Sequence, residues 1–159
     1  MLSNDRDTAG VIARPPLLFL GGLLGGAVLD RLMPLGVTPP GAVEGYRLAG
    51  GLTVAGGVAL VAAGIRNFTR AATPIPTSSP TTTLVQTGVH GWTRNPIYLG
   101  MFLIYGGVTV ATRSPWSLVL ALPIAVTMRY GVVAREEAYL DRRFGATYRN
   151  YQARVRRWL

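Results

Sequence analysis

One polar segment leads directly into an apolar helix and has the residues to bind a small anion. It reads GVHGWTRNPIYLG over residues 88–100. Asn95 followed by Pro96 predicts a helix start, because Asn is a favoured N-cap and proline suits the first helical position. Such an N-terminus carries unpaired N–H groups and a partial positive charge, and Arg94 stands beside it. We therefore expect a carboxylate to bind here, unless Arg94 only anchors the helix at the headgroups and Asn95 only caps it.

A second polar cluster, RYGVVAREEAYL, follows the last long apolar stretch over residues 129–140. Arg129 and Glu136 are seven positions apart, which places them on one face of an α-helix. Because an arginine in lipid is costly, we expect Arg129 to face the bundle interior with an acidic partner. Glu136 and Glu137 point about 100° apart, so one can face a cavity while the other meets arginines of the tail. The alternative is a glutamate pair on a solvated helix end.

The C-terminal tail has the pattern of an amphipathic helix that is interrupted near Gly145. Apolar residues recur every three or four positions, and arginines occupy the other faces. Such a helix suits the membrane interface, and it could equally cover a pocket formed by the two preceding helices. The apolar positions are Leu140, Phe144, Tyr148, Tyr151, Val155 and Trp158.

The rest of the chain must supply membrane helices to position these segments. Of its 159 residues, 49% are hydrophobic and only 14% are charged, too few polar residues to cover a soluble domain. Four stretches without charge approach the roughly 20 residues that cross a bilayer. We therefore predict an all-α polytopic membrane protein with about four transmembrane helices and an amphipathic tail. The four stretches are Pro15 to Leu29, Leu48 to Ile65, Asn95 to Thr112 and Ser114 to Met128.

Arginine alone supplies the sixteen basic residues, and its distribution predicts the orientation. With four spans, the N-terminus, the middle loop and the tail share one side and carry two, three and seven arginines. By the positive-inside rule this side is cytoplasmic, so we expect both termini in the cytoplasm of a bacterial cell. The net charge of +9 then suits anionic lipid rather than nucleic acid. One membrane domain would comprise helices one and two (1–70), the loop (71–94), helices three and four (95–134) and the tail (135–159).

Small residues predict where the first two helices pack. Helix one holds Gly21, Gly22, Gly25 and Gly26 in two overlapping GxxxG patterns, which suit close packing in a bilayer. In helix two, Ala55, Ala59 and Ala63 are spaced by four and predict a second small face.

Few residues offer conventional catalytic chemistry. The chain has no cysteine, which excludes a thiolate metal site, and neither a metal cluster nor a phosphate-binding loop is evident. His90 is the only histidine, and it is either a hydrogen-bonded structural residue or a general base.

The second half of the chain resembles the C-terminal core of the isoprenylcysteine carboxyl methyltransferase family and its phospholipid methyltransferase relatives. The features that carry the resemblance are, in order, the RNPIYLG motif, an apolar helix pair, REEAYL and the ending FGATYRNYQARVRRWL. The resemblance covers about residues 84 to 159. It implies an integral membrane methyltransferase that binds S-adenosylmethionine at its cytosolic face and receives a lipophilic acceptor from the bilayer. The contacts it implies for the cofactor are Gly88, His90, Arg94, Asn95, Pro96, Tyr98, Gly100, Glu136 and Glu137.

Helix three also carries an aromatic stripe of Tyr98, Phe102 and Tyr105. It either packs within the bundle or lines an entrance for the acceptor, and in the second case Phe102, Tyr105 and Arg129 would contact substrate. The acceptor's nucleophile is left open among carboxylate, amine and thiol. Two other interpretations stay possible: a sterol-reductase-like enzyme that uses NADPH, and a non-catalytic membrane scaffold of the same fold.

Overall fold

A computed structural model describes residues 9–37, 40–75 and 80–159 of the chain. Over these residues the structure is helical and contains no strand, which confirms the all-α prediction. A 3-10 turn at Gly88–Gly91 precedes α3, and a π-helical segment at Thr127–Val133 joins α4 to α5. The α-helices are α1 (Pro15–Leu32), α2 (Val43–Arg70), α3 (Pro96–Thr112), α4 (Pro115–Val126), α5 (Ala134–Phe144) and α6 (Ala146–Arg154).

Three helical stretches of the described residues are long and apolar enough to cross a membrane: α1, α2 and the continuous run Pro115–Phe144. The apolar helix α3 is shorter at 17 residues, the lower end of the spanning range. Large apolar side chains project outward from these helices, as lipid requires. Examples are Leu17 and Leu24 on α1, Leu52 on α2, and Leu118 and Leu122 on α4. The chain is therefore a polytopic α-helical membrane protein.

The packing of α2 against α3 depends on glycines at a spacing of seven. Gly50, Gly57 and Gly64 are the buried residues of α2. A Cβ on Gly57 would lie 2.7 Å from the Gly100 carbonyl oxygen of α3, so the two backbones are in direct contact. The alanine face predicted from Ala55, Ala59 and Ala63 is wrong, since Ala55 and Ala59 are exposed. Glycine allows a closer backbone approach than alanine, and it therefore determines which face packs.

Helix α1 packs mainly against α4 through one of its two GxxxG pairs. A Cβ on Gly22 would collide with Ile124 and Tyr105, and one on Gly26 would collide with Ser117. In the other pair, Gly21 has open space around it, and a Cβ on Gly25 would only reach ordinary contact with Leu120 at 3.6 Å. At the same end as Gly26, Ser114 caps α4 by accepting the Ser117 backbone N–H at 3.0 Å.

The π-helical segment changes which residues share a face between α4 and α5. The Arg129 guanidinium lies 5.4 Å from the centre of the Tyr130 ring, and over the described residues it forms no ion pair with Glu136. The predicted Arg129–Glu136 pair is therefore wrong. A π turn hydrogen-bonds from i to i+5 and is wider than an α turn, so a spacing of seven no longer aligns the two residues.

The tail is two short helices broken where the sequence predicts. Gly145 separates α5 from α6 and adopts φ 52°, a left-handed conformation that favours glycine. Beyond the break, Tyr148, Tyr151 and Val155 form a small core with Leu84 of the connecting loop. The tail therefore folds back onto the end of the bundle. The predicted irregular connection at Thr73 to Thr83 is described only in part, because residues 76–79 lie outside the described ranges.

Candidate functional site

A cavity of about 280 Å³ lies at the end of the bundle where α1 and α3 begin and α2 ends. Its wall is mostly apolar with a few polar groups, as in ligand sites generally. The membrane helices contribute Pro15, Pro16, Val61, Ile65, Phe68, Pro96, Ile97, Tyr98 and Met101. The loop, the approach to α3, α5 and α6 contribute Ile75, Thr81, Thr83, Leu84, Val85, His90, Arg94, Asn95, Glu136, Glu137, Leu140, Tyr148 and Tyr151.

Glu136 places a buried carboxylate on the cavity wall, where its side chain is shielded so well that the residue is 6% exposed. The Tyr98 hydroxyl donates a 2.6 Å hydrogen bond to Glu136 Oε1. Within the described residues, no arginine forms an ion pair with Glu136. Because a buried carboxylate is costly without a charged partner, this group is well suited to a cationic ligand.

Glu137, the neighbouring residue, is instead held by two arginines. Arg94 Nη2 lies 2.9 Å from Glu137 Oε1, and Arg157 donates to both carboxylate oxygens at 2.8 and 2.5 Å. Arg94 Nη1 also donates to the carbonyl oxygens of Gln152 and Val155, at 3.2 and 2.7 Å. Both glutamates line the cavity, and Glu137 is the one that meets an arginine of the tail, as their helical spacing allows.

The end of the tail covers the start of α3. The Asn95 amide donates to the Arg157 carbonyl oxygen at 3.0 Å, and the Thr93 hydroxyl donates to the same oxygen at 3.1 Å. The helix starts at Pro96 with Asn95 at the N-cap, as predicted, but the Asn95 side chain makes no capping hydrogen bond because it binds the tail. Trp158 packs against Phe102 with ring centres 5.9 Å apart. Of the two roles left open for the tail, covering the pocket is the one the contacts show.

His90 is a buried residue of the cavity wall, and both its ring and its backbone carbonyl have hydrogen-bond partners. The Asn67 amide lies 3.2 Å from its Nδ1, and the Phe68 ring packs edge-on with centres 5.0 Å apart. The Tyr151 hydroxyl donates to the His90 carbonyl oxygen at 2.6 Å. Burial lowers the pKa of His90 from 6.5 to about 4, so the ring is neutral at physiological pH. Burial likewise raises the pKa of Tyr151 to about 12, which keeps its phenol protonated.

The two glycines of the predicted cofactor set lie outside the cavity lining. Gly88 adopts φ 58°, and a Cβ there would meet the Asn67 amide, 2.7 Å from Nδ2. Gly100 faces α2, where a Cβ would lie 2.7 Å from the Gly57 carbonyl oxygen. Backbone geometry and helix packing account for both glycines. Of the predicted set, the cavity brings together His90, Arg94, Asn95, Pro96, Tyr98, Glu136 and Glu137.

The residues predicted to contact substrate also lie outside the lining. Phe102 packs against Phe19 with ring centres 4.9 Å apart, and the Tyr105 hydroxyl donates to the Ser117 carbonyl oxygen at 2.6 Å. Arg129 lies over Tyr130. Two of these residues therefore belong to the bundle interior, and a substrate contact for Phe102, Tyr105 or Arg129 stays a prediction.

The part of the wall that the loop forms was not predicted from local sequence patterns. Thr81, Leu84 and Val85 line the cavity, although the segment around them has no periodicity. Thr81 is held by distant groups: its N–H donates to the Tyr139 hydroxyl at 3.0 Å, and Arg143 donates to its carbonyl oxygen. Contacts between residues about 60 positions apart leave no local pattern to find.

Comparisons with known proteins identify the family of this chain. The phospholipid methyltransferase family profile matches residues 46–147. The chain belongs to the phospholipid methyltransferase family. It is 36% identical over 72 residues to the protein-S-isoprenylcysteine O-methyltransferase of Saccharomyces cerevisiae, covering 45% of this chain and 30% of that protein.

A second relative is an uncharacterized protein of Haemophilus influenzae, 33% identical over 63 residues. That match covers 40% of this chain and the whole of the relative. The chain therefore spans under a third of the yeast enzyme and all of the bacterial protein. No solved structure gives a significant match to the chain.

Proposed function

We propose that this protein is an S-adenosylmethionine-dependent methyltransferase acting on a lipophilic acceptor. The observation that carries the proposal is the buried Glu136 carboxylate, which faces the cavity with a tyrosine hydroxyl for a partner and no arginine among the described residues. A ligand with a fixed positive charge would complete this site electrostatically. Membership of a methyltransferase family makes a sulfonium cofactor the natural choice.

The remaining polar groups of the wall suit the other parts of that cofactor. Arg94 Nε is buried and has no hydrogen-bond partner among the described residues, and as a donor it suits a carboxylate. The N-terminus of α3 lies beside it and favours the same charge. Glu136 and the electron-rich ring of Tyr98 would attract the sulfonium and ammonium groups. The donor set thus offers one partner for each charged group of S-adenosylmethionine.

Bound there, the cofactor would supply an electrophilic methyl group, which an acceptor lone pair takes up as the carbon–sulfur bond breaks. The protein's contribution is to position the two molecules and to exclude water, which requires no catalytic dyad. His90 is neutral and its Nδ1 lies within hydrogen-bond distance of Asn67, so we assign it a structural role in shaping the wall.

The acceptor is proposed to enter from the lipid side of the cavity. Pro15 and Pro16 of α1 and Val61 and Ile65 of α2 form an apolar wall that continues the lipid-facing surface of the spans. The name of the yeast relative specifies a prenylated cysteine as its substrate, and the family name specifies phospholipids. An amphiphile with its chain in the bilayer and a carboxylate, amine or thiol at its head has the chemistry that such a wall accepts.

The proposed orientation places the cavity and both termini in the cytoplasm. The arginine-rich tail and the arginines at the end of α2 lie on this side. Reporter fusions to the C-terminus should be active in the cytoplasm. A fusion that is active only in the periplasm would reverse the orientation.

Direct binding is the first test. Purified protein in detergent should bind radiolabelled S-adenosylmethionine with saturation, and S-adenosylhomocysteine should displace it. NADPH should not compete, because Arg94 is the one arginine among the described lining residues and no basic cluster there would bind a 2′-phosphate. Displacement of the label by NADPH would favour a reductase, and absence of binding to either cofactor would favour a scaffold.

A further inference from the structure

Thr81 is a buried threonine in the cavity wall whose hydroxyl is unused. The residue is 1% exposed, and its Oγ1 atom has no hydrogen-bond partner among the residues that the structure describes. Buried polar side chains are paired in the large majority of cases, because an unpaired one loses its water without compensation. An unpaired hydroxyl on the wall of a ligand-sized cavity indicates that a ligand provides the partner.

The position of this hydroxyl is fixed by the backbone around it. The Thr81 N–H donates to the Tyr139 hydroxyl at 3.0 Å, and its carbonyl oxygen accepts from Arg143 Nε. Both partners belong to α5, the helix that carries Glu136, and Tyr139 follows Glu136 by about one turn. The helix that presents the carboxylate to the cavity therefore also holds Thr81 in place, as a preorganised binding group requires.

A second unpaired atom, Arg94 Nε, belongs to a residue of the same wall. It can only donate a hydrogen bond, whereas a threonine hydroxyl can donate and accept. Arg94 therefore needs an acceptor from the ligand, whereas Thr81 can pair with either a donor or an acceptor. Apolar side chains of Leu84, Val85 and Leu140 share the wall with Thr81 and suit the faces of a planar ring.

We propose that Thr81 binds the nucleoside part of the methyl donor through its hydroxyl group. This inference rests on the proposed function. It adds a binding residue for the nucleoside end of the methyl donor, which Glu136 and Arg94 do not contact in the proposed arrangement. The charged amino-acid part lies toward Arg94 and Glu136, and the nucleoside lies between the loop and α5. The apolar wall of α1 and α2 is then left to the acceptor.

The test measures the affinity of two Thr81 variants for two ligands. Thr81→Val removes the hydroxyl at nearly constant shape and should weaken S-adenosylhomocysteine binding about tenfold, the upper range for one neutral hydrogen bond. Thr81→Ser keeps the hydroxyl and should bind within about threefold of wild type. The loss in Thr81→Val should be the same for 5′-methylthioadenosine, which has the nucleoside but lacks the amino acid. Thr82→Val is the matched control, since Thr82 is exposed and outside the cavity lining.

Thermal stability separates a binding role from a folding role. Thr81→Val removes an unpaired buried hydroxyl, so the ligand-free variant should melt at or above the wild-type temperature. The proposal is overturned if Thr81→Val binds both ligands as wild type does, or if its loss disappears with 5′-methylthioadenosine. The proposal is also overturned if Thr81→Val melts below wild type and Thr81→Ser loses as much ligand affinity as Thr81→Val does. If wild type binds neither ligand, the failure lies with the proposed function instead.

Discussion

The Tyr98 hydroxyl donates a 2.6 Å hydrogen bond to the Glu136 carboxylate, which ties the first turn of α3 to α5 across the cavity. The two residues are 38 positions apart in the chain and come from the two motifs that the sequence singles out. A neutral donor orients the carboxylate without cancelling its charge. Glu136 therefore has no positively charged partner among the described residues.

Glu136→Gln should weaken S-adenosylmethionine binding about tenfold or more, because a hydrogen bond or ion pair to a charged group is lost. Tyr98→Phe keeps the charge and should have a smaller effect. Titration calorimetry in detergent measures both. Glu44→Gln is the control, since Glu44 is exposed near the start of α2. Equal affinity in Glu136→Gln and wild type would assign this carboxylate to structure alone.

Glu137→Gln should loosen the tail rather than act directly on the ligand, because Glu137 pairs with Arg94 and with Arg157 of the tail. Breaking this largely buried cluster should cost roughly 2 kcal/mol of stability, between the values for exposed and fully buried pairs. Faster tryptic cleavage at the tail arginines would report the loosening. Asp141→Asn breaks the exposed Arg149–Asp141 pair and should cost under about 1 kcal/mol. Equal cleavage rates in the two variants would contradict the assigned role.

His90 should make the folded protein sensitive to acid. Its pKa of about 4 lies below the ordinary 6.5, so between these pH values the unfolded chain binds a proton that the folded protein does not. Its contribution to stability is therefore complete above pH 6.5 and is lost as the pH falls toward 4. Melting temperatures of wild type and His90→Asn, measured from pH 7.5 to 4.5, should converge on acidification. Parallel curves would show that His90 is not buried as a neutral ring.

Gly57→Ala should destabilise the bundle by about 1–3 kcal/mol, the usual cost of overpacking, because the new Cβ would lie 2.7 Å from the Gly100 carbonyl oxygen. Gly56→Ala is the matched control on the neighbouring position, where a Cβ would meet open space. It should be neutral or stabilising by up to about 1 kcal/mol, given the helix propensity of alanine. Thermal unfolding in one detergent compares the two. Similar melting temperatures would contradict the α2–α3 interface.

The sequence predicted the helices well because each depends on local signals. Charge-free stretches mark the spans, Pro96 marks the start of α3, and Gly145 marks the break in the tail. The alanine face of α2 failed because several small-residue stripes run along that helix, and only the partner determines which one packs. The Arg129–Glu136 pair failed because a π turn at Thr127–Val133 alters the angular spacing.

The charged residues of the candidate site could be predicted from the sequence, whereas the loop residues that line it could not. Glu136, Arg94 and Tyr98 belong to the two short motifs that carry the family resemblance, and all three line the cavity. Thr81 enters the wall only because Tyr139 and Arg143 bind its backbone from 58 and 62 positions away. The glycine at position 100 matches the motif but serves the contact with α2. A motif position thus identifies the region of a site more reliably than it identifies a ligand contact.

Methyl transfer into lipid is the most decisive measurement of the proposed activity. Purified protein in membrane lipid extract, supplied with methyl-labelled S-adenosylmethionine, should transfer label to the organic phase. Glu136→Gln should reduce this transfer at limiting cofactor, while the Glu44→Gln control should match wild type. The account is contradicted if wild type binds the cofactor but label enters no lipid from any extract, or if it appears only in a water-soluble product.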